Sequence, residues 1–210
     1  ALASREKRKF SSKLIGREEE IILLNKYIKQ SMSGQTKVIG IVGEAGIGKS
    51  RLTYDLFAEY LLGEDILFLK GRAIFHEQTR PYSTFIDIIY TLFGVSPTDG
   101  ANTVKEKIKN RLDDMKLPTD NACFILPLLG IEVNDDFYRV LSTEEKKKRT
   151  FELIKSCLVA QAQQKPILII CEDLQWTDRT SYELLTYLIE SINNIPLTIF
   201  CIYRPNFKHD

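Results

Sequence analysis

The chain has 210 residues, of which 44% are hydrophobic and 27% charged; that is enough apolar material for one full core and excludes disorder as the default state. Its formal net charge of +1 excludes a global drive toward nucleic acid or an anionic membrane, although Ser4 to Lys9 is locally basic and reads as a solvated tail. No apolar run approaches the roughly 20 residues of a membrane helix and the basic start leads into no signal-peptide core, so the expected location is cytoplasmic, with no membrane partner.

In chain order, residues 1–12 read as the basic tail and 13–210 as the folded unit. Leu14-Ile15-Gly16-Arg17 precedes a helix with acidic residues in its first turn, Ile21, Leu24 and Ile28 on one face, and an end near Gly34. Lys37 to Val42 is a short apolar run bounded by glycine and reads as a buried first strand. Gly43 to Ser50 then fits G-x-x-x-x-G-K-S, followed by an amphipathic segment with Leu52, Leu56 and Tyr60 at fourfold spacing.

The order strand, glycine loop, helix is what a phosphate cradle needs. Backbone N–H groups can reach phosphate oxygens only where side chains do not obstruct them, which is the expected reason for Gly46 and Gly48. The helix starting near Lys49 adds unpaired N–H groups and the positive end of its dipole. Lys49 is expected on the β- and γ-phosphates and the Ser50 hydroxyl on Mg²⁺; Gly43, Glu44, Ala45, Ile47 and Arg51 complete the expected nucleotide contacts.

A second strand over Ile66 to Leu69 leads into Gly71-Arg72. Pro81-Tyr82 opens a helix with Phe85, Ile88, Ile89 and Leu92 inward and Gly94 at its stop. Val104, Ile108 and Leu112 mark a further helix ended by Pro118; Asn121 to Leu129, interrupted by Pro127, reads as short irregular helix. Ser142 with Glu145 forms a capping box for a helix carrying Phe151, Ile154, Leu158 and Ala162 to about Gln163. The third strand, Ile167 to Cys171, is continuously apolar, as a strand covered on both faces should be. It ends in Glu172-Asp173. Asp178 caps a helix with Leu184, Leu185, Leu188 and Ile192 buried, and Leu197 to Tyr203 is strand four, closed by Arg204. The four cysteines, Cys123, Cys157, Cys171 and Cys201, sit far apart in apolar contexts and read as buried thiols rather than metal ligands or disulfides. A start at Ala1 and a stop soon after a strand read as a fragment of a longer protein.

Alternating strands and helices predict an α/β fold with a mainly parallel sheet whose carboxyl edge holds the ligand. Strand one would deliver the glycine loop there, strand three Glu172-Asp173 and strand four Arg204. Carboxylates ending an apolar strand are costly unless solvated, paired or facing a metal, and a Mg-nucleotide supplies the metal. Glu172 is expected to support Mg²⁺, partly through water, Asp173 to orient the attacking water, and Arg204 to sense the γ-phosphate. Trp176, the sole tryptophan, reads as core. The long stretch between Lys49 and Glu172 fits a three-layer P-loop NTPase sandwich of the additional-strand class, order 5-1-4-3-2, with strand five missing from this chain.

Leu14 to Glu18, GEAGIGKSRL from Gly43 to Leu52, Pro81-Tyr82, CEDLQWTD from Cys171 to Asp178 and Tyr203-Arg204-Pro205 together resemble the STAND ATPases, relatives of AAA+ proteins. The module that follows class III adenylate or guanylate cyclase domains, found also in large transcriptional regulators, is the nearest likeness. The resemblance implies an ATP/ADP switch acting on effector and sensor domains of one parent chain, nucleotide-dependent self-association, and contact of Ile15, Gly16 and Arg17 with adenine or ribose. It also matches Arg204 to the family's γ-phosphate sensor. Many relatives carry Asp where this chain has Glu172. Two other readings stand beside the switch: a non-hydrolysing nucleotide scaffold, and a DNA-associated AAA+ loader, against which the absence of a basic stripe speaks.

Overall fold

A computed structural model describes residues 16–63 and 66–207. The basic tail over 1–12 and Ile15 lie outside the described residues. Helix α1 spans Glu18–Met32, followed by strand β1, Lys37–Val42, helix α2, Lys49–Gly63, and strand β2, Leu67–Arg72. Helices α3 (Ile86–Phe93), α4 (Ala101–Asp114), α5 (Asp136–Val140) and α6 (Thr143–Ala162) come next. Strand β3 (Ile167–Glu172), helix α7 (Arg179–Ser191) and strand β4 (Leu197–Tyr203) complete the order.

All the strand pairs are parallel, and the order is β1-β4-β3-β2. This is the expected arrangement without its fifth strand among the described residues. Helices lie on both faces, as parallel crossovers require. On one face Leu24 and Ile28 of α1 and Leu52, Leu56 and Phe57 of α2 pack on Leu168, Ile170, Phe200 and Ile202. On the other, α3, α4, α6 and α7 cover Leu69, Ile167, Ile169, Cys171, Leu197, Ile199 and Cys201. Because β3 and β4 are covered on both faces, their runs are almost wholly buried, and apolar but for Thr198 and the terminal Glu172.

Local signals explain the element ends. Ser142 Oγ accepts from the Glu145 N–H at 3.3 Å while Glu145 Oε2 accepts from the Ser142 N–H at 2.9 Å, the reciprocal cap that starts α6. Gly94, at φ +62°, ends α3 in the left-handed region. The segment from Thr119 to Leu129 forms two 3-10 stretches, in keeping with its proline.

Three expectations need correction. Strand β1 is covered on one face only: Ile39 and Ile41 pack toward α1 and α2, while Val38 is 45% and Val42 51% exposed on the other face. Strand β2 runs beyond Leu69 through Gly71 and Arg72, which pair with Cys171 and Glu172. A Cβ on Gly71 would lie 2.1 Å from the Thr84 carbonyl oxygen, so glycine there permits the segment before α3 to rest on the strand rather than to break it. Helix α5, capped by Asp135 accepting from the Tyr138 N–H at 2.8 Å, had no place in the sequence reading; one turn is too short to show a period.

Candidate functional site

The parallel ladder sends β1, β4 and β3 to one carboxyl edge. Two strand spacings separate β1 from β3, roughly 10 Å, with β4 between them. The loop after β1 stays attached to that frame, its Gly43 N–H donating to the Tyr203 carbonyl at 3.4 Å.

Gly46 and Gly48 have φ of +81° and +93°, a region that residues with a Cβ enter at a cost of about 1–2 kcal/mol. A Cβ added at either would meet no protein atom within 4 Å. Backbone conformation, not crowding within the protein, is what this structure makes glycine necessary for. Gly43 differs, since a Cβ there would stand 2.9 Å from Ile47 Cγ2. Helix α2 begins at Lys49, and its first N–H groups, at Lys49 and Ser50, have no acceptor a turn behind them. Lys49 Nζ donates to the carbonyl oxygens of Gly43 and Glu44 at 2.7 and 2.8 Å, so the lysine arches over the loop. Glu44, Ala45, Ile47 and Ser50 are exposed, and Arg51 approaches Asp55 within α2 at 3.6 Å.

Arg17 reaches the same loop. It stands just before α1, where Gly16 has φ +79°. Its guanidinium donates to Glu20 Oε1 at 2.7 Å and, more weakly, to the Ile47 carbonyl at 3.5 Å. Glu20 is held below the ordinary carboxylate range, first by that Arg17 bond. Residues far apart in sequence thus meet at the glycine loop.

The acidic pair occupies the end of β3. Residues alternate across a strand, so Glu172 shares the face of Leu168 and Ile170, the side on which α2 packs. Glu172 is buried, and its Oε2 lies 3.3 Å from Lys70 Nζ. Asp173 follows at φ +57°, a left-handed turn that aspartate tolerates better than most residues. Its Oδ2 accepts from Arg72 Nε at 3.0 Å and its Oδ1 faces Gln175 Nε2 at 3.4 Å. Lys70 and Arg72 of β2 therefore each hold one acid. Sequence reasoning missed this pairing because it depends on the register of β2 against β3.

Arg204 follows β4, and its N–H donates to Gln175 Oε1 at 3.2 Å. Its guanidinium lies 5.8 Å from the centre of the Trp176 ring, which meets the Phe75 ring edge-on at 4.8 Å. Trp176 is partly exposed, so the expected core residue is a contact at the site's margin. A cavity of about 320 Å³ opens there, lined by Gln175, Trp176, Arg204, Asn206 and Phe207. Asp178 is the expected cap, accepting from the Ser181 N–H at 2.9 Å. It also accepts from the Tyr82 N–H, the Ser83 N–H and the Ser83 hydroxyl, at 3.1, 3.0 and 2.9 Å.

The donor set fits a polyphosphate: a loop in a conformation only glycine allows readily, the N-terminus of α2, and a flexible primary amine. Oxygen ligands are present for a hard cation at Ser50, Glu172 and Asp173. No group of three or more His, Cys, Asp or Glu placed to hold a metal ion occurs among the described residues; a Mg²⁺ ion would complete its shell with water and phosphate, as it commonly does. Among the described residues no helix is long and apolar enough to cross a membrane. A family model described as an AAA ATPase domain matches residues 13–200. No curated protein matches.

Proposed function

The chain belongs to the AAA ATPase domain family, and from that premise we propose that it binds ATP with Mg²⁺ and hydrolyses it as a regulatory switch. The observation that carries this reading is the strand order, in which β4 with Arg204 lies between the glycine loop and the acidic pair. Loop N–H groups and Lys49 hold the phosphates, Lys49 exchanging its bonds to Gly43 and Glu44 for phosphate oxygens. Ser50 and Glu172 serve as metal ligands, directly or through water. Mg²⁺, when bound, would supply neutralisation of the phosphate charge. Asp173 orients the attacking water and accepts its proton, while Arg204 contributes a fixed positive charge at the γ-phosphate. Gly16 and Arg17, with Ile15, serve the nucleoside end.

The finer reading is that of a STAND module linked to a class III cyclase or a transcriptional regulator. Occupancy by ATP or ADP would then bias attached effector and sensor domains, with nucleotide-dependent self-association as part of the output. It rests on the motif set from Leu14 to Pro205. One observation favours a second reading, a non-hydrolysing nucleotide scaffold: both acids are engaged, by Lys70 and Arg72.

Hydrolysis and nucleotide binding by the wild type, Lys49→Ala and Asp173→Asn separate the two readings. Lys49→Ala should lose both binding and turnover. Asp173→Asn should bind nucleotide and lose about 10²-fold or more in kcat, the usual worth of a positioned general base. Nucleotide binding by the wild type with turnover no higher than that of Lys49→Ala would establish the scaffold instead. Comparing the parent protein's output with and without Lys49→Ala tests the switch.

A further inference from the structure

The proposed acid and the proposed cation sit on different strands, and one side chain touches both. Gln175 lies in the 3-10 turn after Asp173, Leu174–Trp176. Its Oε1 accepts from the Arg204 N–H at 3.2 Å and its Nε2 faces Asp173 Oδ1 at 3.4 Å. The network fixes which way the amide points: the backbone N–H of Arg204 can be met only by an acceptor, so the NH₂ end is left for the carboxylate. One residue earlier, the Tyr203 carbonyl accepts from the Gly43 N–H. A continuous path thus runs from Asp173 through the Gln175 amide to the Arg204 peptide and on to the first residue of the glycine loop.

We infer that Gln175 is a positioning residue for hydrolysis, setting the Asp173 carboxylate and the strand that carries Arg204 as one unit. The inference rests on the reading of Asp173 as the residue that orients water. Arg72 already fixes Oδ2 of that carboxylate; without a second contact at Oδ1 the group can still turn about its Cβ–Cγ bond. Gln175 supplies that contact, and because its other end is held by β4, any shift of Arg204 relative to β3 is felt at Asp173. The bond to Asp173 is the longer of the two, so it is the one that a change at the γ-phosphate would tighten or break. The amide lies at the wall of the 320 Å³ cavity beside Arg204, where it can act without touching the phosphates.

The experiment is steady-state hydrolysis, nucleotide affinity and thermal melting for the wild type, Asp173→Asn, Gln175→Leu and Gln175→Glu, with Trp176 fluorescence as a local monitor. Gln175→Leu loses both contacts at similar bulk, and should lower kcat about tenfold to a hundredfold, the scale of a misplaced catalytic group. KM, nucleotide affinity and the melting temperature should stay near wild type. Glutamate keeps the acceptor for Arg204 but sets a carboxylate against Asp173, so kcat should remain as low as in Gln175→Leu. If leucine unsettles the fold, Gln175→Met, unbranched and of equal length, carries the same expectation. Recovery of wild-type kcat in Gln175→Glu would overturn the inference by showing that the amide merely props up Arg204. So would a loss in Gln175→Leu spread equally over affinity, melting and kcat. Unchanged kcat in Gln175→Leu beside an inactive Asp173→Asn refutes the inference alone; full activity in Asp173→Asn refutes the reading of the site on which it depends.

Discussion

Asp178 shows how much one side chain can organise. Only 3% exposed, its carboxylate accepts from the N-terminus of α7 and from three donors on Tyr82 and Ser83. A buried charge is tolerable on those terms, because each donor would itself be orphaned without it. The arrangement also holds Tyr82 at φ +63°, a conformation a tyrosine adopts only when its surroundings impose it. Asp178→Ala should destabilise the fold by about 3 kcal/mol, since several buried N–H groups lose their acceptor. For a chain of this size that is roughly 6–12 °C in Tm. Asp178→Asn, which keeps an acceptor but turns a donor toward donors, should fall between alanine and wild type in the same calorimetric comparison. The cap itself follows from sequence, since Asp before an amphipathic run is an N-terminal signal. The tie to Tyr82 does not, because nothing local relates positions so far apart.

At the scale of elements, the contact between β2 and the segment leading into α3 leaves no room for a Cβ at Gly71. Gly71 faces the Thr84 carbonyl, a backbone atom that cannot step aside. Gly71→Ala should therefore cost about 3 kcal/mol, at the upper end of the usual overpacking penalty. Gly100, with an extended φ of −68° and open space around its would-be Cβ, is the control: Gly100→Ser should be neutral or slightly stabilising as a better cap for α4. Urea melts of the two variants check the pair. The sequence placed β2 but ended it too soon, because glycine reads locally as a breaker. Its reason for being there is a neighbour brought in from a later turn.

Over the whole molecule, the interior is set against charge. Burial pushes the thiol of Cys157 up to about 12 and that of Cys201 to about 11, from an ordinary 9.0. It likewise raises the Tyr82 phenol to about 12 from 10.0. In each case the unfolded chain ionises first. The stability these groups contribute is whole below pH 9 and is lost progressively as pH rises through the folded values. Chemical denaturation measured from pH 8 to 11 should show a falling midpoint, and the fall should be shallower in Cys157→Ala than in the wild type, measured against each protein's own value at pH 8. Below pH 9 the buried thiols should resist alkylation until denaturant is added.

What the sequence determined by itself was governed by short-range chemistry. The glycine loop with Lys49, the cap at Ser142, the period of the longer helices and the largely apolar runs of β3 and β4 are all local. The strand order also followed, from the length of chain between the loop and Glu172 and from the rule that parallel strands need crossovers. Tertiary structure alone decided which residues face one another across those crossovers. Lys70 and Arg72 meet the acidic pair only through the register of β2 on β3, and Arg17 meets Ile47 only because α1 packs beside α2. Gln175 bridges β3 and β4 by virtue of a left-handed turn at Asp173. The physical reason is the same throughout: a residue's backbone preference is a property of its neighbours in sequence, whereas the partner of a buried charge or amide is chosen by the packing of the whole sheet.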